Sequence, residues 1–191
     1  MIALVSAGSV VALFVYNLET DRYGTKVETA WAMARFFTIL THVGVVLTFM
    51  AAALRRSGIG APWIAALTLS VVLVGVVFHA LLSDITAFEG LGQWANQGLH
   101  TVVPAACLVW WVAFAPKRML DYGNLPMFVV WPCVYVAYAL ARGAQDGVYP
   151  YPFMDLATRS SAEVVLNLAG LLIVLLIGGV VFVMIGKFTD R

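Results

Sequence analysis

Residues 163–186 read EVVLNLAGLLIVLLIGGVVFVMIG, and this stretch decides the fold class. Its one charged residue, Glu163, stands at the first position, and about 20 apolar residues in a helix are enough to cross a bilayer. A strand is a poor choice there, because backbone amides without a partner in hydrocarbon are costly. The stretch therefore predicts a transmembrane helix.

The rest of the chain has a similar composition. Of its 191 residues, 62% are apolar and 11% are charged, whereas a soluble domain carries about 25% charged residues. The net charge of +1 offers no basic surface to a nucleic acid. These values exclude a water-soluble globule, a disordered chain and a nucleic-acid binder, and they predict a polytopic integral membrane protein. Without a repeat or a low-complexity segment, residues 1–191 are expected to form a single transmembrane domain.

Six stretches are long and apolar enough to span a membrane, which predicts an all-α bundle of six transmembrane helices. They cover residues 1–18, 31–54, 61–82, 94–115, 125–142 and 163–186. The first stretch has no basic residue before Arg22, so it lacks the basic start of a signal peptide and is expected to be a genuine span.

The distribution of basic residues predicts that both termini are cytoplasmic. Six basic residues lie on the side of the termini: Arg55, Arg56, Lys117, Arg118, Lys187 and Arg191. Four lie on the opposite side: Arg22, Lys26, Arg142 and Arg159. An outer aromatic belt is expected at Trp31, Trp94, Tyr149 and Tyr151. Small size and the absence of a targeting address favour a bacterial inner membrane.

Four ionisable residues fall inside the spans: Arg35, His42, His79 and His100. An Arg at a helix centre costs about 2.5–3.5 kcal/mol on insertion scales, so such residues usually face the protein interior or a cavity. At about 100° per residue, Trp31, Arg35, Thr38 and His42 would share one face of the second span. His42 and His79 are therefore candidates for binding or orienting a substrate.

Depth brings a hydroxyl and an imidazole together. At about 1.5 Å per residue, Thr38 would lie about 10 Å below Trp31, and His100 about 9 Å below Trp94. Asn96 precedes His100 by four residues and shares its face. These positions predict a site near the outer leaflet. The alternatives are structural: a Thr commonly bonds to its own helix, a His can join two helices, and Arg35 can extend to the interface.

Several motifs in this chain resemble those of the androgen-induced protein and androgen-dependent tissue factor pathway inhibitor-regulating protein family. The motifs are RFFT at 35–38, WANQGLHT at 94–101 with Pro104, and YPF at 151–153. The family consists of multi-span membrane hydrolases that cleave fatty-acid esters of hydroxy fatty acids, and its bacterial relatives are of about this size. This chain has Gln97 where the family often has a His, and its His42 and His79 match nothing in the family pattern.

The resemblance implies a lipid ester hydrolase with Thr38 as the nucleophile and His100 as the general base. Asn96 is a candidate to orient the imidazole or to donate to the oxyanion, and Asp155 is a candidate to orient it. Arg35 would hold a substrate carboxylate in two hydrogen bonds. The resemblance implies a lipid substrate from the bilayer as the partner, and neither a cofactor nor a metal ion.

Other functions stay open at this point. His79 and His100 lie at similar depths, so they could hold a haem between them. Pro104 and Pro132 interrupt spans as in transporters, and a path along Arg35, Thr38 and His42 is conceivable. A non-catalytic structural subunit is the third alternative, with small residues forming a packing seam.

Overall fold

A computed structural model describes residues 1–54 and 59–189 of the chain. Within these two ranges every regular element is a helix, which confirms the all-α prediction. The helices are α1 (Ile2–Glu19), α2 (Lys26–Met33), α3 (Phe37–Ala53), α4 (Ala61–Val77), α5 (Gly90–Gln97), α6 (Val103–Phe114), α7 (Leu125–Asp146) and α8 (Ser161–Thr189). Arg55, Arg56 and Arg191, which contribute to the predicted orientation, lie outside the described residues.

Among the described residues, five helical segments are long and apolar enough to cross a membrane. They are Ile2–Glu19, Ala61–Ile85, Gly90–Phe114, Tyr122–Asp146 and Ser161–Thr189. A sixth results if α2 and α3 are counted as one span, although their axes differ by 91°. The chain divides into two compact units, Met1–Pro116 and Lys117–Arg191.

The prediction of one continuous helix over 31–54 is wrong, because the chain bends between α2 and α3. Phe36 is extended, with φ −90° and ψ 132°. Around a continuous helix Met33 and Ile39 would point about 120° apart. The bend lets both side chains pack in one buried cluster with Leu99. Tertiary packing therefore breaks this helix, and the sequence has no Gly or Pro at the bend to reveal it.

Two π-helical turns interrupt the helices of the first unit. Phe78–Leu82 follows α4, and Gly98–Val102 joins α5 to α6. The second turn has a local cause: the N–H of Val103 bonds to the carbonyl of Gly98, five residues back, and Pro104 has no N–H to give. Each turn carries one of the histidines that the sequence singles out, and π turns occur frequently at functional sites.

A second cluster of apolar side chains joins α3, α4 and α6. It consists of Val45, Leu67, Val71, Val103 and Cys107, all buried. In water, burial of such side chains is the main term that favours helix packing. In lipid, close van der Waals contact between the helices is the favourable term instead. The cluster fixes the helices from which the candidate site is built.

The second unit consists of the helices α7 and α8, which pack against each other. α8 begins two residues earlier than predicted, because Ser160 and Glu163 form reciprocal side-chain-to-backbone bonds that cap it. A Cβ added at Gly179 would lie 3.2 Å from the ring of Phe128, so the glycine permits a close approach of the two helices.

Candidate functional site

Thr38 and His100 lie against each other in the first unit. The Thr38 Oγ1 is 3.4 Å from Nε2 of His100, although the two residues are 62 positions apart in sequence. Thr38 is the second residue of α3 and is 8% exposed. His100 lies in the π turn Gly98–Val102 and is half-buried. The structure therefore brings together the two residues that the sequence pairs.

The imidazole of His100 is held in one tautomer. Its Nδ1 lies 3.1 Å from the backbone carbonyl oxygen of Asn96. Because a carbonyl can only accept, Nδ1 of the neutral ring carries the hydrogen, and the lone pair of Nε2 faces the Thr38 hydroxyl. Phe78 stacks on the ring, with centroids 4.0 Å apart and planes 20° apart. Nε2 is therefore placed to accept a proton from Thr38.

The N-terminus of α3 adds a further element to this pair. The first bond within the helix is donated by the N–H of Leu40 to the carbonyl of Phe36. Helix geometry gives the N–H groups of Thr38 and Ile39 no acceptor four residues back. They lie at the positive end of the helix dipole. Backbone donors beside a hydroxyl nucleophile are the kind of group that stabilises an oxyanion.

Asn96 orients His100 with its backbone and not with its side chain. The carbonyl of Asn96 accepts the bond from Nδ1. Its side-chain Oδ1 is buried and has no hydrogen-bond partner in the part of the chain that the structure describes. The sequence points to Asn96 as a neighbour of the imidazole, and the atom that contacts the ring belongs to its main chain. The predicted roles of its side chain stay predictions.

Arg35 lies in the bend between α2 and α3 and is 9% exposed. The prediction that Trp31, Arg35, Thr38 and His42 share one helix face is wrong for the first two, because α2 ends before the bend. Thr38 and His42 do share a face of α3, one turn apart. Trp31 is instead 61% exposed on α2.

His42 lies one helical turn from Thr38 and is fully buried. Its Nε2 is 2.9 Å from the carbonyl oxygen of Leu99, and its Nδ1 is 2.9 Å from the Ser6 hydroxyl. Both ring nitrogens are therefore engaged within the protein. His42 is therefore in no position to contact a substrate. Of its two predicted roles, binding a substrate and orienting one, this geometry permits only the orienting role.

His79 belongs to a different set of bonds on an exposed face. Its Nε2 lies 3.0 Å from the Thr101 hydroxyl, which donates to the side-chain oxygen of Gln97. The Nε2 atoms of His79 and His100 thus each face a threonine. This geometry does not favour a haem between them, and no group of three or more His, Cys, Asp or Glu side chains suited to a metal ion occurs in residues 1–54 and 59–189.

Asp155 lies in the second unit, in the turn that follows Pro152–Met154. Its carboxylate accepts the N–H of Ala157 at 2.8 Å, and its carbonyl accepts the N–H of Arg159. These bonds shape the loop before α8. Asp155 therefore has a local role in this unit, of the kind that Asp commonly plays in turns.

Three groups at the site were not identified from the sequence: the ring of Phe78, the hydroxyl of Ser6 and the carbonyl of Leu99. Pro104 offers a clue to the last, because a proline five residues after Leu99 removes a possible donor to its carbonyl. Phe78 and Ser6 lie in apolar stretches where neither residue type is unusual.

No family model, no curated protein and no solved structure matches the chain. The family resemblance therefore remains a prediction that rests on the motifs. Without such a match, the geometry of the site is the observation that bears on function.

Proposed function

We propose that the chain is an intramembrane lipid ester hydrolase in which Thr38 is the nucleophile and His100 the general base. The observation that carries this proposal is the contact between the Thr38 hydroxyl and Nε2 of His100, whose other nitrogen is occupied by a carbonyl. A threonine hydroxyl becomes a good nucleophile only when a neighbouring base takes its proton. The 3.4 Å separation is long for a strong bond, as is common before a substrate is bound.

The reaction divides into two steps. In the first, Nε2 of His100 takes the hydroxyl proton while the Thr38 oxygen attacks the ester carbonyl carbon. The N–H groups of Thr38 and Ile39 donate to the oxyanion that forms. The bond to the leaving oxygen then breaks, and the protonated imidazole returns the proton to the departing alcohol. In the second step Nε2 takes a proton from water, whose oxygen attacks the acyl-threonine. The imidazolium then returns this proton to the Thr38 oxygen as the acyl–oxygen bond breaks and the fatty acid leaves.

The proposed substrates are fatty-acid esters of hydroxy fatty acids or similar amphiphilic esters. The family resemblance supports this class, and so does the position of Arg35, which precedes Thr38 by three residues. A guanidinium at that point can pair with the free carboxylate of such a lipid. The acyl chains would lie along the apolar helices, whose outward surfaces carry many large hydrophobic side chains.

We place the site near the outer leaflet of a bacterial inner membrane, with six spans and both termini in the cytoplasm. In this arrangement α2 and α3 together form the second span. Exposed Trp31 and Trp94 support the level of the site, since they lie on the helices that lead to Thr38 and His100 and Trp is enriched at membrane interfaces. At this depth the ester of an amphiphile and water from outside can both reach the threonine.

Labelling with a fluorophosphonate probe tests the proposal directly. The purified protein in detergent should form a covalent adduct at Thr38, identified by mass spectrometry of its peptides. Thr38→Ala should lose both the adduct and ester hydrolysis, whereas Thr38→Ser, which keeps a hydroxyl, should retain part of each. Thr41→Ala is the matched control, because it removes a threonine hydroxyl from the same helix. An adduct elsewhere, or hydrolysis by monodisperse Thr38→Ala, would refute the assignment.

A further inference from the structure

His42 connects three parts of the first unit through its ring. Its Nε2 lies 2.9 Å from the carbonyl oxygen of Leu99 in the π turn, and its Nδ1 lies 2.9 Å from the hydroxyl of Ser6 on α1. A carbonyl only accepts, so Nε2 carries the hydrogen and Nδ1 accepts from Ser6. The Ser6 hydroxyl also lies 3.3 Å from the carbonyl of His42 itself. The ring thereby joins α3 to α1 and to the turn.

The Leu99 carbonyl has a specific need for this donor. In an α-helix it would accept from Val103, but the N–H of Val103 bonds to Gly98 instead. In a continued π pattern it would accept from residue 104, which is proline and has no N–H. A buried carbonyl without a donor is costly. The imidazole of His42 therefore supplies the bond that this π turn lacks.

The bond lies directly beside the reacting pair. Thr38 precedes His42 by four residues on the same face of α3, and His100 is the residue after Leu99. Fixing His42 against Leu99 therefore fixes the nucleophile-bearing face of α3 against the base-bearing turn. A misplacement of about 1 Å between reacting groups can cost about 100-fold in rate.

We propose that His42 is a positioning residue that sets the separation of Thr38 and His100 by donating to the Leu99 carbonyl. This inference rests on the proposed hydrolase function. It also accounts for a buried, ionisable side chain that takes no part in the chemistry, at a depth where such groups are expensive.

The test compares His42→Ala with two other variants of α3. His42→Gln keeps an amide N–H near the position of Nε2 and should restore the bond to Leu99. Thr48→Val is the matched control: it removes another side-chain bond of α3, the part-buried one that the Trp63 indole donates to Thr48 at 3.0 Å. Measured quantities are kcat, KM, the rate of fluorophosphonate modification at Thr38, and Tm in detergent.

We expect His42→Ala to lower kcat and the modification rate by about 100-fold, with KM changed less than about threefold. His42→Gln should regain at least about tenfold of that loss. Thr48→Val should keep its kcat even where its Tm falls as far as that of His42→Ala. Equal activity losses in Thr48→Val and His42→Ala at equal Tm would overturn the inference, as would a folded His42→Gln no more active than His42→Ala.

Two further measurements cover the remaining outcomes. If His42→Ala does not fold, His42→Gln is compared with Ser6→Ala. Ser6→Ala leaves the bond between His42 and Leu99 in place, so its kcat should stay above about one tenth of the wild-type value. A lower kcat for Ser6→Ala would contradict the inference. If the wild-type chain hydrolyses no ester, the proposed function fails alone. The ¹⁵N shifts of the His100 ring should then still change in His42→Gln or His42→Ala but not in Thr48→Val, and unchanged shifts would overturn the positioning role.

Discussion

Two histidine-centred layers lie one helical turn apart on α3. In the reactive layer, formed by Thr38, His100 and the Asn96 carbonyl, one ring nitrogen is held and the other faces a hydroxyl at 3.4 Å. In the buried layer, formed by Ser6, His42 and the Leu99 carbonyl, both nitrogens have partners at 2.9 Å. The same side chain is therefore suited to two tasks, and its partners decide which: a fully bonded imidazole can hold helices together, whereas one with a lone pair directed at a hydroxyl can take a proton.

The largest expected effect comes from giving the reactive layer the same substitution, His to Gln, that is expected to keep the Leu99 bond in the buried layer. His100→Gln places an amide near the position of Nε2, beside Thr38, but has no basic nitrogen, so kcat/KM should fall by about 10²–10⁴-fold, the usual contribution of a general base. The measurement is ester hydrolysis beside His42→Gln at equal protein concentration. Similar activity in the two variants would remove the distinction between the layers.

The next effect tests the backbone that both layers share. Pro104→Ala restores an N–H that can donate to a carbonyl one turn back and so favours an α-helical turn over the π turn. His100 would then rotate away from Thr38, and modification at Thr38 should slow by at least about tenfold. Because the variant gains a backbone bond, its Tm should not fall. An unchanged modification rate, with His100 ¹⁵N shifts like those of the wild type, would show that the π turn does not depend on proline.

The sequence is sufficient for the all-helical class, for most of the long apolar helices, and for the pairing of Thr38 with His100. Long apolar runs determine the helices, because a chain in lipid must bond its own backbone. Depths counted along the spans pair these two residues when the second span is treated as one continuous helix. The bend makes that count invalid for Trp31 and Arg35. Thr38 and His100 still meet, because each lies shortly after the end of a helix that carries an exposed Trp.

The bend and the buried layer could not be predicted in the same way. Nothing local breaks the helix at Phe36; the gain lies in packing Met33 and Ile39 on Leu99, a contact 60 or more residues distant in sequence. His42 attracts notice as an ionisable residue in a span, but its role depends on a main-chain carbonyl and on Ser6. The need for a glycine at position 75 also depends on a distant main-chain carbonyl, since an added Cβ there would lie 2.8 Å from the His100 carbonyl oxygen.

Arg35 offers a smaller effect that concerns substrate choice. Arg35→Gln removes the guanidinium that would pair with a substrate carboxylate, so it should raise KM about tenfold for esters bearing a free acid. Neutral esters of the same chain length should be affected less than about threefold. The comparison requires both substrates with one protein preparation. Equal losses for acid and neutral esters would assign Arg35 a structural role in the bend.

His79, the third histidine of the chain, should show the smallest effect. It lies in the other π turn, and its Nε2 faces Thr101 and not Thr38. Its neighbour Phe78, and not His79 itself, contacts the His100 ring. His79→Gln should therefore leave kcat and the modification rate at Thr38 within about twofold of the wild type, because the Gln amide can still donate to Thr101. A loss as large as that of His42→Ala would mean that the exposed bonds of His79, Thr101 and Gln97 also hold the base in place, and the contrast between a reactive and a buried layer would then have to include a third.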